Sequence, residues 1–182
     1  MIREEKEPLL RRGSALWLAV TAVMTAMNIV LSMSVFSVPV PGGHLYFCDA
    51  VIDTAALLLD PFAAFLVGGV GSMIGDMLFY PAPMFVSLVT HGLQAAVVSA
   101  LSRRIMKKRP AAGASVAVAV GAVIMVIGYT LGRAYVYATP EYAVIKLPFE
   151  ILQAVLGAVL AVVLCWPLRL REIFRRMVHS VR

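Results

Sequence analysis

A handful of polar side chains stand in otherwise apolar stretches of this 182-residue chain, and they recur at helical spacing. Asp49 and Asp53 lie four apart, with Tyr46 one turn earlier. Ser87, His91 and Gln94 form a second series, and Tyr129, Arg133 and Tyr137 a third. Lys146, Glu150 and Gln153 form a fourth, with Gly157 a turn further on. Residues three or four apart on a helix share one face, so each series is a polar stripe. The chemistry on offer is recognition. Arg133 and Lys146 suit a carboxylate or phosphate. Glu150 or Asp53 can accept hydrogen bonds from an amino-heterocycle, and Tyr46, Tyr129 and Tyr137 can stack on a ring. Machinery for catalysis is missing from the string: it has no H-E-x-x-H, no aspartate-rich motif and no G-x-x-x-x-G-K-[ST] phosphate loop. No Cys/His spacing matches a zinc site. His44-x3-Cys48-Asp49 reads as separate residues at a helix entrance, so neither catalytic residues nor a metal are expected.

The elements that carry these stripes belong in lipid. Hydrophobic residues make up 61% of the chain and charged ones 14%, against about 45–50% and about 25% in soluble domains. At roughly 20 residues per span, the composition allows five or six transmembrane helices and no soluble domain. Charge placement selects six. Of the 16 Lys and Arg, 14 fall in three clusters. These are Arg3, Lys6, Arg11 and Arg12; then Arg103, Arg104, Lys107, Lys108 and Arg109; and finally Arg169, Arg171, Arg175, Arg176 and Arg182. Basic residues favour the cytoplasmic side, so an even number of spans must separate neighbouring clusters. The stretch 46–80 is too long for one crossing, and Asp60-Pro61 supplies an N-cap and a first-turn proline that divide it. The expected fold class is an all-α integral membrane protein. It is a single six-helix bundle over 15–35, 46–59, 61–79, 84–102, 111–137 and 141–168. Residues 1–14 form a basic arm and 169–182 a basic tail, with both termini cytoplasmic.

The apolar run at 15–38 is longer than a signal-peptide core and lacks a clear A-x-A site, so it reads as a retained span. Cys48 and Cys165 fall near opposite faces, which disfavours a disulfide. The net charge of +6 is then an orientation signal and calls for no nucleic-acid partner.

On this layout every polar stripe lies in the outer half of the bundle. The inner stretches Ala95–Leu101, Ser115–Val126 and Ala158–Leu164 are nearly featureless. A channel or proton relay would carry polar groups through the full depth, whereas this asymmetry describes an outward-opening pocket over an apolar floor. Taken singly, Lys146–Glu150 also reads as a structural ion pair and Arg133 as a snorkelling side chain. Likewise His91 reads as a packing histidine and Asp76 as an interface-facing helix end. Ala15, Ala19, Ala22 and Ala26 make one smooth face of the kind that lets membrane helices approach closely, either within the bundle or against a partner.

The sequence resembles the S components, the substrate-binding membrane subunits, of energy-coupling factor (ECF) vitamin transporters. It is most similar to the riboflavin/hydroxymethylpyrimidine-like branch. The resemblance is carried by Ala15–Ala26, by Phe47-Cys-Asp-Ala-Val-Ile-Asp-Thr-Ala-Ala-Leu-Leu-Leu-Asp-Pro-Phe62 and by Gly68-Gly-Val-Gly-Ser-Met-Ile-Gly-Asp76. Tyr80-Pro-Ala-Pro83, His91-Gly-Leu93 and Leu147-Pro-Phe-Glu-Ile-Leu-Gln-Ala-Val-Leu-Gly157 complete it. It implies a prokaryotic cell-membrane protein with six helices and a vitamin pocket near the outer face. That pocket would be lined by about Val38–Tyr46 and by the stripes of the later helices. It also implies docking of Ala15, Ala19, Ala22 and Ala26 on a transmembrane coupling subunit. Two ATPase subunits would consume the ATP, leaving this chain without a cofactor of its own. A pyrimidine or B6-like heterocycle is the leading substrate expectation, with riboflavin, folate and pantothenate also open. Rival readings are an integral-membrane enzyme acting on a lipid or isoprenoid, and a purely structural subunit.

Overall fold

Side-chain caps set where the helices begin. The Ser14 hydroxyl accepts from the Trp17 amide at 3.2 Å. The Asp60 carboxylate accepts from the amides of Phe62 (3.1 Å) and Ala63 (3.3 Å), and the Thr139 hydroxyl from that of Tyr142 (3.4 Å). Each cap satisfies amides that have no partner within the helix. Pro61 and Pro140 follow as first helical residues, where a missing N–H costs nothing. In this computed structural model, residues 10–105 and 109–181 are described. The helices are α1 (Ala15–Leu31), α2 (Cys48–Leu58), α3 (Pro61–Phe79), α4 (Met84–Arg104), α5 (Pro110–Tyr137), α6 (Pro140–Cys165) and α7 (Leu170–Val181). Between α1 and α2, β1 (Val38–Val40) pairs antiparallel with β2 (Gly43–Leu45), aligning Val38 with Leu45 and Val40 with Gly43.

The chain is an all-α membrane protein. Helices α3 to α6 are each long and apolar enough to cross a membrane, and α1 is a shorter apolar helix. Helix α2 has 11 residues, about 16 Å at 1.5 Å per residue. All 11 but Ala50 are buried, so α2 is enclosed by the longer helices.

Two helices contain a π-helical turn, Leu66–Val70 in α3 and Arg133–Tyr137 in α5. Such turns widen the ladder and free carbonyls from their usual partners. In α3 the fully buried Asn28 of α1 meets them. Its amide donates to the Val67 carbonyl at 2.6 Å and to the Ser72 hydroxyl at 3.1 Å. On the other side of the same turn, α3 and α4 touch backbone to backbone. A Cβ on Gly68 would stand 2.6 Å from the His91 carbonyl, and one on Gly69 2.7 Å from that of Leu88. Only glycine permits that approach.

At one end of the bundle the described residues of the three basic clusters gather. Trp17 Nε1 donates to Asp60 at 2.5 Å, which ties the start of α1 to the α2–α3 turn. Arg12 lies 4.0 Å over the Phe62 ring. Arg103 donates to the Leu59 carbonyl at 2.6 Å. Arg3, Lys6, Lys107, Lys108 and Arg182 lie outside the described residues.

One boundary is corrected here, and the basic tail gains a secondary structure that its charge did not specify. The first helix ends at Leu31, short of 35, where the Ser32 hydroxyl folds back onto the Asn28 carbonyl (2.8 Å), and the hairpin follows. The basic tail is helical: Arg169 adopts a left-handed φ of 56° that turns the chain out of α6. Helix α7 then packs Phe174 and Val178 into the cluster of Leu10, Trp17 and Cys165. On its outer surface Arg176 donates to Glu172 at 2.5 Å, and that bond holds the exposed Glu172 carboxyl below its ordinary range. Apolar residues at 170, 174 and 178 share a face, the pattern of an amphipathic helix.

Removing the Asn28 amide exposes the consequence of the π turn. Asn28→Ala should lower stability by about 1–3 kcal/mol, the cost of leaving buried acceptors unpaired, read as a fall in the thermal midpoint in detergent. Ser72→Ala should cost less, because Asn28 still reaches Val67.

Candidate functional site

At the end opposite the basic residues the bundle opens into a cavity of about 660 Å³. Its walls come from the hairpin and from α3, α4, α5 and α6. The hairpin is held by α6. Gly42, at φ +80°, brings its backbone against Lys146, where a Cβ would sit 3.1 Å from the Lys146 Cβ. Lys146 Nζ donates to the His44 carbonyl at 2.5 Å. Only glycine combines that left-handed φ with so close a contact.

One wall is ionic. The π turn of α5 presents Arg133, which forms a buried ion pair with Glu150 of α6. Thr130 adds a longer hydrogen bond to Glu150 at 3.4 Å. The Arg133 guanidinium also lies 5.6 Å from the centre of the Tyr137 ring, a cation–π contact. Glu150 therefore pairs with Arg133, not with Lys146 as the spacing on one helix had suggested. Lys146 stays inside the cavity wall with 3% of its surface exposed.

The facing wall is a relay of hydroxyls. Tyr129 donates to the Ser87 hydroxyl at 2.5 Å, and Ser87 donates to Asp76. The rings of Tyr129 and His91 lie 5.1 Å apart at 60°.

A buried polar layer lies below. Gln94 Nε2 donates to both Asp49 (3.3 Å) and Asp53 (3.2 Å), so its carbonyl oxygen is the atom that faces His91 Nδ1 at 2.8 Å. In this contact Nδ1 is the donor. Gln153 donates to Asp49 at 2.6 Å and accepts from the Tyr46 backbone amide at 3.0 Å. Among the described residues Cys48, Asp49 and His91 bring potential ligand atoms within 4.8 Å of one another. His91 thus takes the place that the sequence string gave to His44. The Asp49 oxygens and His91 Nδ1 of this group are already engaged by Gln94 and Gln153. Cys48 and Cys165 are both free thiols.

The arrangement is a ring-lined pocket with a few fixed charges. A sequence model of the ECF-type riboflavin transporter S component family matches residues 14–170, most of the chain. The protein belongs to this family. A Pyrococcus woesei protein described as "Uncharacterized protein in gap 3'region" is 30% identical over 135 residues, covering 74% of this chain and 88% of that one. As an ECF S component the chain is a transporter's substrate-binding subunit and not an enzyme. S components bind a small vitamin-like substrate and work with an ECF module.

Within this S component the structure gathers most of the residues singled out by spacing. Tyr46, His91, Tyr129 and Arg133 line the cavity, together with Tyr137, Lys146, Glu150 and Gln153. Asp49, Asp53 and Gln94 do not line it; they form the layer beneath, each 1% exposed or less. Spacing undervalued Asp76, which lines the cavity with Ser72 one turn earlier on α3. The i, i+4 pair was visible, but a carboxylate near a helix end looked like an interface group. His44, Phe79, Tyr80 and Tyr142 also line the wall; as residues of a strand, a helix end, a loop and a helix start they belong to no stripe. Ala15, Ala19, Ala22 and Ala26 all lie exposed along α1, while Trp17, Thr21 and Asn28 face inward.

Breaking the ion pair from one side should be worse than removing it. Arg133→Leu leaves Glu150 buried and unpaired and should cost about 3–5 kcal/mol. Arg133→Leu with Glu150→Leu should recover much of that loss, a coupling that a double-mutant cycle on thermal unfolding reads directly.

Proposed function

We propose that the cavity captures a water-soluble vitamin or precursor carrying a conjugated nitrogen heterocycle, and that the chain passes it inward through an ATP-driven ECF complex. One observation carries this reading: a 660 Å³ cavity walled by tyrosines holds the Arg133–Glu150 pair and Lys146 at the end away from the basic clusters. Its volume lies within the range of about 300–1,000 Å³ typical of small-molecule sites. Tyr129, Tyr137 and Tyr46 sandwich or edge the ring. Glu150 takes its N–H groups, His91 meets its polar edge, and Lys146 or Arg133 answers an acidic or hydroxylated substituent. Asp49, Asp53 and Gln94 hold His91 and Gln153 in position from below.

The size of the cavity and the number of rings around it favour a fused-ring heterocycle of the flavin type, as does the family's riboflavin description. A single pyrimidine or B6 ring would leave much of the space to water. In the cell the chain crosses a prokaryotic membrane six times, with the short α2 enclosed by the others. Both termini are cytoplasmic and the cavity faces outward. The gathering of described basic residues from all three clusters at one end supports this orientation. The exposed alanine face of α1 docks on the transmembrane coupling subunit, and two cytoplasmic ATPases supply the energy.

The purified protein alone should bind one molecule of riboflavin with a marked rise in thermal midpoint, and bind hydroxymethylpyrimidine and pyridoxine more weakly. No binding and no thermal shift across a panel of B-vitamins and precursors would overturn the reading. Tyr129→Ala should weaken binding by about tenfold or more, since a ring contact and its buried area are lost. Unchanged binding after both Glu150→Ala and His91→Ala would move the pocket elsewhere. Ala19→Leu with Ala22→Leu should abolish uptake in cells while sparing binding by the isolated subunit; loss of both together would count against a docking role.

A further inference from the structure

Helix α7 carries an apolar arc wider than the bundle covers. At 100° per residue, Leu170, Phe174 and Val178 point at the bundle end, where Phe174 and Val178 are 7% and 2% exposed. Ile173 and Met177 continue the same arc to one side, yet they stay 59% and 43% exposed, and Leu168 just before the helix is 61% exposed. The remaining surface is basic. Arg175, Arg176 and His179 are exposed, and Arg171 stacks its guanidinium 5.7 Å from the centre of the Trp166 ring. Glu172 is the sole acidic residue between Arg169 and Val181, and it is bonded to Arg176.

An apolar flank beside an arginine-rich face matches the interior and surface of a bilayer leaflet. Helices of this build lie in the plane of the headgroups, apolar side down. Trp166 and the arginines are residue types favoured at that level. Arg11, Arg12, Arg103 and Arg104 are exposed as well; Arg12 and Arg103 make their contacts at this end of the bundle, so the positive surface extends beyond α7. We infer that α7 is an interfacial anchor: Ile173, Met177 and Leu168 dip into the acyl boundary while Arg171, Arg175 and Arg176 bind the headgroups of anionic phospholipids. This anchoring is independent of which vitamin the cavity takes.

The full-length protein is placed in nanodiscs of phosphatidylcholine, with or without added phosphatidylglycerol, and backbone hydrogen exchange is followed over residues 170–181. Adding phosphatidylglycerol should slow exchange there by about tenfold or more, and raised salt should reverse the effect. The variant R171Q/R175Q/R176Q keeps Phe174 and Val178, and so the packing on the bundle, but should lose the response to lipid charge. Ile173→Ser with Met177→Ser should speed exchange in both discs. Equal exchange in the two lipids, or a response that survives in the arginine variant, would overturn the inference. So would protection that arises only when ECF coupling and ATPase subunits are added, which would assign the face to a protein partner.

Discussion

Inside a bilayer a buried carboxylate has no water to turn to, so a lone pair that the protein leaves unmet is costly. Asp49 and Asp53 impose that demand one turn apart on α2, and the surrounding helices meet it at both oxygens of Asp49 and at Oδ1 of Asp53, while Asp53 Oδ2 has no partner among the described residues. Gln94 of α4 spans both carboxylates. Gln153 of α6 reaches Asp49 from the other side and continues to the Tyr46 amide. These bonds require close packing, and Gly157 supplies it: a Cβ there would collide with Asp49. Three helices and the end of the hairpin are thereby fixed to one another just below the cavity. The side chains above, His91 and Gln153 among them, inherit their orientation from this layer.

The two ends of the bundle obey different rules. At the cavity end the connections are irregular. The π turn of α5 and the Pro81–Pro83 segment depart from regular helical pairing, and with the hairpin they bring side chains to the cavity. At the basic end the connections are capped and tied, by Asp60 to Trp17 and by Ser99 and Arg103 to the Leu59 carbonyl. Recognition sits where the backbone is least regular, and rigidity where the chain turns back most tightly.

Much of the fold was legible because lipid punishes ambiguity. Apolar runs, the Asp60-Pro61 and Thr139-Pro140 breaks and the helical spacing of polar residues are local features, and most of the residues they picked out line a single cavity. What escaped was set by contacts between helices. Nothing in the spacing of one segment says that Glu150 will choose Arg133 over the nearer-in-sequence Lys146, because that choice depends on the π turn of α5. Asn28 gave no warning of its role, since its partners lie 39 or more residues away. The helix in the tail was hidden by its own charge. Its periodicity is plain once the bundle end supplies a surface for Phe174 and Val178.

The exposed alanines of α1 have a thermodynamic side. A methyl group has no rotamers, so covering it with another surface freezes nothing and costs almost no side-chain entropy. What such a face contributes is nearness of backbones and the many small dispersion contacts that nearness allows. On the alanine side nothing has to rearrange before or after contact, so the docking proposed for this face would carry little ordering cost in either direction.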